Sequence, residues 1–299
     1  MDYSEMRAAF MQPNDAEPRT GWQSPARTLR DAVEPIATVS FWSEPGYDAY
    51  ADLGLDFLTG YVWSRSSVLG EAEPGVVAAA FGVFEPGAVA GLLGAARDAC
   101  SLSAVRAARE QGAATALREA LGEDPDGLDD VLGALRDAAV CADVAGRPLY
   151  AGARGLPFPQ DRHAALWHAA TLVRECRGDS HLGACVAAGL TGLEANLLTE
   201  LWVGYTPLSY AGSRAWSPEA MAAAQASLRD RGLLDGEALS DAGRALREQV
   251  EAATDTAMAP VVAALGSRLD AVVARCDAWG AALVEKGWFP PDRFKRAAG

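Results

Sequence analysis

Residues 163–194 hold all three histidines of the chain and several charged side chains, in a segment otherwise rich in alanine and leucine. Imidazole, carboxylate and guanidinium groups are the side chains that move protons and bind anions in enzyme sites. The predicted proton-transfer residues are His181, Glu194 and Glu175. The predicted substrate-binding residues are Arg174, His168, His163 and Trp167 from this segment, and Arg65 and Tyr61 from an upstream apolar helix. The pattern predicts a small-molecule site with general acid–base chemistry.

Glu194 lies among leucines and small residues in the sequence VAAGLTGLEANLL (186–198), which predicts a helix buried on most sides. A buried carboxylate must pair with a cation or become protonated, because an unpaired buried charge costs several kcal/mol. Arg174, Arg65 and Arg214 are the candidate cations for a structural salt bridge. The alternative is a carboxyl group with a shifted pKa that acts as a general acid or base.

The same segment predicts a hairpin of two helices with its turn in RECRGDS (174–180). Gly178 suits the left-handed position after a helix, and Asp179 or Ser180 suits the N-cap of the next helix. On the first helix, His168 and Glu175 are seven residues apart and share one face. The hairpin would therefore gather imidazole, carboxylate and guanidinium groups around one site.

A metal or haem site is the alternative use of His163, His168 and His181. Their spacing matches no recognised ligand motif such as HExxH, and the sequence contains no CxxC pair. The sequence therefore predicts no cofactor, with metal or haem binding kept as an alternative.

The net charge of −14 over 299 residues limits the partners of the protein. Affinity for nucleic acid comes largely from Lys and Arg side chains that neutralise phosphates, and the sequence contains no convincing basic patch. DNA and anionic membranes are therefore disfavoured as partners, and a small molecule is the expected ligand.

Features of the termini and the cysteines predict a cytoplasmic protein. The N-terminus lacks a basic start followed by an apolar run. The sequence also contains no uninterrupted apolar stretch of 18 residues, so no transmembrane helix is predicted. The five cysteines are odd in number and widely spaced, which favours reduced thiols in the cytosol.

Composition predicts a flexible arm over residues 1–27, a helical N-terminal domain over 28–160, and a second domain over 161–299 that holds the hairpin and a winged helix. The proline- and glycine-rich sequence GRPLYAGARGLPFPQ (146–160) marks the boundary. The fold class is mainly α.

Residues 216–258 carry the sharpest local pattern, which predicts a winged helix. Ser217 caps a helix, RGLLD (231–235) ends it and opens a short strand, and Ser240 caps a long amphipathic helix after the returning strand. The first turns of the helix that would read DNA, SPEAMAAAQ (217–225), contain no Lys or Arg, and Glu237 stands at the wing. The winged helix is therefore degenerate as a DNA-binding module.

Several stretches resemble an actinobacterial family of MarR-like winged-helix proteins. They include GYVWSRSSVLG (60–70), AAAFGVFEPGAV (78–89), LWHAATLVRECRGDSHLGACVAAGLTGLEANLL (166–198) and RGLLDGEALSDAGRALREQVEAATDTAMAP (231–260). Cys176 stands where the family pattern has a histidine. The resemblance covers residues from about 30 to 290 and implies a mostly helical fold with a winged-helix C-terminal part, without an established reaction.

The leading functional hypothesis is a cofactor-independent acid–base enzyme, such as a lyase, isomerase or cyclase, on a winged-helix scaffold that has lost its DNA contacts. A ligand-responsive MarR-like regulator is the alternative. A homodimer is expected, because winged-helix proteins with long terminal helices commonly pair through them.

Overall fold

The computed structural model describes residues 3–11 and 22–292. The helices are α1 Tyr3–Met11, α2 Pro25–Trp42, α3 Glu44–Ala51, α4 Phe57–Ser66, α5 Pro74–Phe81, α6 Pro86–Ala99, α7 Leu102–Leu121, α8 Leu128–Ala139, α9 Pro148–Arg154, α10 Arg162–Ala187, α11 Gly192–Val203, α12 Ser209–Gly212, α13 Pro218–Asp230, α14 Asp241–Leu265 and α15 Leu269–Glu285. Two short strands, β1 Leu234–Asp235 and β2 Ala238–Leu239, pair antiparallel. The predicted mainly α fold is confirmed.

The predicted flexible arm is wrong for residues 3–11, which form α1. The Tyr3 hydroxyl donates a hydrogen bond to the Trp42 carbonyl at 2.8 Å, and the Phe10 ring stacks on the Trp42 ring with centroids 3.6 Å apart. These aromatic contacts fix a segment whose polar composition suggested no structure. Residues 1–2 and 12–21 of the predicted arm lie outside the described residues.

Two large hydrophobic clusters organise the described residues, and a third, small cluster contains Trp202, Val203 and Tyr205. The larger cluster contains residues from α2 to the middle of α10, and residues from the second half of α14 and from α15. The smaller cluster contains residues from the end of α10, from α11 to α13, from β1 and from the first half of α14. Because α10 and α14 belong to both clusters, the predicted domain boundary at residue 160 does not separate them.

The predicted helix–strand–turn–strand–helix order over residues 216–258 is confirmed. The Ser217 side chain accepts a hydrogen bond from the Ala220 amide at the start of α13, and the Ser240 side chain accepts one from the Gly243 amide at the start of α14. Gly236 has φ +61 in the turn between the strands, a conformation that glycine adopts without steric cost. We call α11 to β2 and the first half of α14 the helix-turn-helix unit.

The predicted hairpin at residues 174–180 is wrong, because α10 runs unbroken through Gly178 and Asp179. A glycine inside a helix costs only about 1 kcal/mol relative to alanine, and buried ion pairs satisfy the neighbouring charges. The turn comes later: Thr191 caps α11 and forms a capping box with Glu194.

One continuous helical stretch among the described residues, Asp241–Glu285, is long and apolar enough to cross a membrane by length and composition. Two bent helix pairs, Pro86–Ala99 with Leu102–Leu121 and Arg162–Ala187 with Gly192–Val203, pass the same test when each pair counts as one span. The predicted absence of a segment that could span a membrane therefore does not hold on this criterion. The sequence test required an uninterrupted apolar run and so rejected windows that contain a few charges.

We expect Gly192→Ala to lower the free energy of unfolding by about 1–3 kcal/mol, the usual cost of overpacking. A Cβ atom at Gly192 would lie 1.8 Å from the Gly82 carbonyl oxygen, where the start of α11 packs on the segment after α5. Urea denaturation measures the change. Gly183→Ala is the control, because a Cβ there meets nothing within 4 Å; equal stability of the two variants would contradict the close packing.

Candidate functional site

A cavity of about 110 Å³ lies where the two hydrophobic clusters meet. Its walls come from α2, α4, α5, α10, α11, α12 and α14. The lining residues that carry charge are Arg27, Arg30, Arg65, Arg174, Arg177, Arg214, Arg247 and Glu251. Among the described residues of the lining, arginines thus greatly outnumber carboxylates.

Glu251 lies at the centre of the cationic wall. One carboxylate oxygen, Oε2, is 2.5 Å from Arg177 Nη2 and 3.4 Å from Arg27 Nη1, and the other, Oε1, is 2.8 Å from Arg247 Nη1. Burial raises the pKa of Glu251, but the arginines outweigh this effect and hold the pKa well below its usual range. Glu251 is therefore an ionised carboxylate that three helices share.

Several guanidinium nitrogens around the cavity have no hydrogen-bond partner among the described residues. They are Arg177 Nε, Arg214 Nε and Arg247 Nε, and Arg247 Nη1 lacks hydrogen-bond geometry despite its short contact with Glu251. A buried donor without an acceptor costs about 1–3 kcal/mol. Arg177 and Arg247 are 5% and 3% exposed, so the protein holds unsatisfied cationic donors beside an internal space.

A second carboxylate, Glu175, holds two of the lining arginines in place. Arg65 donates to it from Nε at 3.2 Å and from Nη2 at 3.0 Å, and Arg174 donates from Nη1 at 2.7 Å. Burial raises the pKa of Glu175, but the opposing effect of Arg65 and Arg174 is larger and brings the pKa down to about 2. Glu175 therefore stays ionised and acts as a structural anchor, not as a proton donor at neutral pH.

Part of the cavity lining is aromatic. Its rings belong to Tyr61, Phe81, Phe84 and Tyr210. The Arg65 guanidinium lies 4.7 Å from the Phe81 ring centroid, and the Arg214 guanidinium lies 3.5 Å from the Tyr210 centroid. These cation–π contacts place arginine and aromatic side chains next to each other in the lining.

His181 lines the cavity in the third quarter of α10. The Thr254 hydroxyl donates to the Val250 carbonyl, so it accepts from His181 Nδ1, 3.2 Å away; this assigns the ring proton to Nδ1. The other ring nitrogen, Nε2, faces Cys185 Sγ at 3.7 Å. Burial, followed by Arg247, lowers the pKa of His181 well below its usual value, so the ring is neutral and engaged with protein atoms on both nitrogens.

Residues 26–290 match the sequence model of a helix-turn-helix family. The chain belongs to this helix-turn-helix family. No curated protein and no solved structure matches the sequence of this chain.

In this helix-turn-helix protein, the structure does not bring Glu194 to the cavity. Its carboxylate accepts hydrogen bonds from the Thr191 amide at 2.9 Å and from the Ser227 hydroxyl at 2.8 Å. It also pairs with Arg231 at 3.2 Å, and not with Arg174, Arg65 or Arg214 as predicted. Burial raises the pKa of Glu194, but these hydrogen bonds and Arg231 bring it below its usual value.

His163, His168 and Trp167 also lie outside the cavity lining. His163 Nε2 is 2.8 Å from the Gly122 carbonyl, and Trp167 donates from Nε1 to the Ala37 carbonyl at 3.1 Å. The His168 ring meets Phe158 edge-on, and burial lowers the pKa of His168 to about 4. All three residues pack inside the helical body.

The three histidines of the alternative metal or haem site are spread along one helix. At 1.5 Å per residue, His163 and His181 are separated by about 27 Å along α10. No group of three His, Cys, Asp or Glu side chains among the described residues could hold a metal ion. The histidines therefore do not form a common ligand set within this chain.

Of the predicted site residues, Arg174, His181, Arg65 and Tyr61 line the cavity. Sequence patterns did not identify Arg27, Arg30, Arg247 and Glu251 as site residues, and they placed Arg177 only in the predicted turn. A signal existed on α14: Arg247 and Glu251 share the helical face of Gly243, Val250, Thr254 and Met258, all buried. Charged residues on the apolar face of a long amphipathic helix indicate a buried polar site.

Proposed function

We propose that the protein binds a small organic anion in the cavity lined by arginines. The observation that carries this proposal is that seven arginines and one carboxylate line the cavity, and that Arg177 and Arg247 each keep a guanidinium nitrogen without a hydrogen-bond partner among the described residues. Guanidinium groups bind carboxylates through charge-assisted hydrogen bonds, which are strongest where water is excluded. An anion that accepts these hydrogen bonds would remove the cost of the unsatisfied donors.

The size and lining of the cavity favour a compact acid with an apolar part. A closed cavity of roughly 150 Å³ holds benzene. The space of about 110 Å³ here also opens to solvent, so it suits an acid with up to about six carbon atoms beyond its acidic group, the size of benzoate. The aromatic residues would contact the apolar part, and the arginines would bind the carboxylate.

The test is calorimetric titration of the full chain with benzoate, a planar carboxylate. We expect Arg177→Gln to weaken binding at least tenfold, because it removes an unpartnered donor while Arg27 and Arg247 still neutralise Glu251. Arg268→Gln is the matched control: it removes the same charge from an exposed residue paired with Asp137 at 3.7 Å, and it should bind benzoate as the wild type does.

A variant that keeps every charge gives an independent check. Gly178 lines the cavity, and a Cβ there would meet only Glu175 Oε2, at 3.8 Å. Gly178→Leu should fill the space and abolish benzoate binding. Absence of benzoate binding by the wild type, or equal binding by Gly178→Leu, would contradict the proposal.

A ligand-responsive regulator of the MarR-like kind is the second candidate, and the helix-turn-helix family match favours it. Two basic residues near the wing are engaged with protein atoms: Arg229 donates to the Gly236 carbonyl at 2.9 Å, and Arg231 pairs with Glu194. A mobility-shift assay with the promoter fragment of its own gene at low salt separates the candidates. Retardation with a steep salt dependence would favour the regulator.

An acid–base enzyme is less well supported than ligand binding, because Glu175 and Glu194 serve as anchor and cap. Only His181 of the three proposed proton-transfer residues lines the cavity.

A cytoplasmic location and a homodimer remain part of the proposal. Light scattering of the purified chain tests the homodimer.

A further inference from the structure

We propose that Glu251 competes with the bound anion for Arg177 and Arg247, and that this competition links the cavity to the helix-turn-helix unit. The inference rests on the proposed function of the cavity. It assigns a regulatory role to the carboxylate that already lies among the arginines of the site.

The position of Glu251 is that of an internal anion. Its side chain is fully buried, and it draws Arg27 from α2, Arg177 from α10 and Arg247 from α14 toward one carboxylate. A carboxylate is also the group that the arginines would bind in a small organic acid. The site therefore includes, on its own chain, a carboxylate of the same chemistry as the proposed ligand.

The hydrogen bonding of Glu251 is incomplete. Glu251 Oε1 has no hydrogen-bond partner among the described residues, although Arg247 Nη1 is 2.8 Å away and His181 Nδ1 is 3.9 Å away. A second carboxylate on Arg177 and Arg247 would place two negative charges side by side and divide the same donors between them. Each anion would weaken the hold of the arginines on the other.

Glu251 is placed to transmit this change to the wing. It lies in the third turn of α14, which begins directly after β2, and its ion pairs tie that part of the helix to α10 and α2. One turn away, Thr254 contacts His181 of α10. Weakening the Glu251 ion pairs would loosen the first half of α14, and with it the wing, from α10 and α2.

The first readout is benzoate affinity by calorimetry. Glu251→Gln removes the competing charge, so we expect benzoate to bind about tenfold more tightly than to the wild type. Glu194→Gln is the matched control, since it neutralises another buried carboxylate of the helix-turn-helix unit that lies outside the cavity; its affinity should stay within twofold of the wild type. Glu251→Asp shortens the side chain by one methylene group and keeps the charge, so benzoate affinity should rise by less than in Glu251→Gln. This variant serves as the test if Glu251→Gln does not fold.

The second readout is hydrogen–deuterium exchange of the amides in residues 241–256. We expect benzoate to speed their exchange in the wild type, and Glu251→Gln to show fast exchange without benzoate. Weaker benzoate binding by Glu251→Gln and Glu251→Asp would overturn the competition, because the carboxylate would then be orienting the arginines for the ligand. Unchanged exchange on binding would overturn the link to the wing. Absence of binding by the wild type and all variants would instead refute the proposed function itself.

Discussion

Replacing Glu175 by alanine should lower the free energy of unfolding by about 3–5 kcal/mol, as expected when one partner of a buried ion pair is removed. Glu175 is the carboxylate between Arg65 and Arg174, and all three side chains are at most 10% exposed. Without it, Arg65 loses both of its ion-pair hydrogen bonds, and Arg174 keeps only Glu34, at 3.1 Å. Two guanidinium groups would then remain buried with too little negative charge.

Urea denaturation at pH 7 measures this effect, and two substitutions calibrate it. Glu175→Gln keeps the shape of the side chain and one acceptor oxygen for the arginines, so it should cost less than Glu175→Ala. Glu123→Ala removes an exposed carboxylate that pairs with Arg118, and should change stability by less than about 1 kcal/mol. If Glu175→Ala cost no more than Glu123→Ala, the buried network would not stabilise the fold.

The low pKa of Glu175 also makes the stability of the protein depend on pH. The pKa of Glu175 falls from an ordinary 4.5 to about 2 in the folded protein, so the folded state binds its proton less tightly than the unfolded state. The stabilisation is complete above about pH 4.5 and is lost as the pH falls toward 2. The wild type should therefore lose stability faster than Glu175→Gln over that interval.

Local sequence patterns predicted the elements whose signals are local. Ser217, Ser240 and the glycine turn at Gly236 define the wing, because caps and tight turns depend on a few neighbouring residues. The same local rules failed at Gly178, where the sequence suits a helix end but α10 continues. There a tertiary contact outweighs the local signal, because Arg177 pairs with Glu251 on α14, 74 residues away in the sequence.

The segment predicted to hold the site contributes Arg174 and His181 to the cavity lining, but its carboxylates Glu175 and Glu194 lie outside that lining. Composition indicated that Glu194 would be buried, which it is, but the capping box and Ser227 satisfy its carboxylate at the start of α11, away from the cavity. Glu251 became the central carboxylate because α14 crosses α10 at Arg177. A crossing of two long helices is not encoded in either helix alone, so spacing within one segment could not identify the pair.

A second carboxyl group on α10 should give the opposite pH dependence, which Asp179→Asn would reveal. Asp179 Oδ2 accepts a hydrogen bond from the Tyr150 amide at 2.9 Å, while Oδ1 has no partner among the described residues. Burial, reinforced by the charge of Glu175, raises the pKa of Asp179 from 3.8 to about 7. The folded state therefore binds this proton more tightly than the unfolded state does.

The sign of the effect follows from this difference in proton affinity. The contribution of Asp179 to stability is fully present below about pH 4 and is lost as the pH rises to about 7. A shift of this size corresponds to about 4 kcal/mol at 1.36 kcal/mol per pKa unit. Asp179→Asn stays neutral at every pH, so it should match the wild type near pH 4 and exceed its stability, by up to about that amount, at pH 8.

Denaturation midpoints at pH 4, 6 and 8 test this prediction, with Asp137→Asn as the control because Asp137 is exposed. Equal changes in stability at pH 4 and pH 8 would show that the Asp179 carboxyl does not titrate in this range. The two predictions also depend on each other, since the charge of Glu175 is one cause of the raised pKa of Asp179. In a Glu175→Gln background the pKa of Asp179 should fall, and the gain from Asp179→Asn at pH 8 should shrink with it. A gain of unchanged size in that background would mean that burial alone, without Glu175, raises the pKa of Asp179.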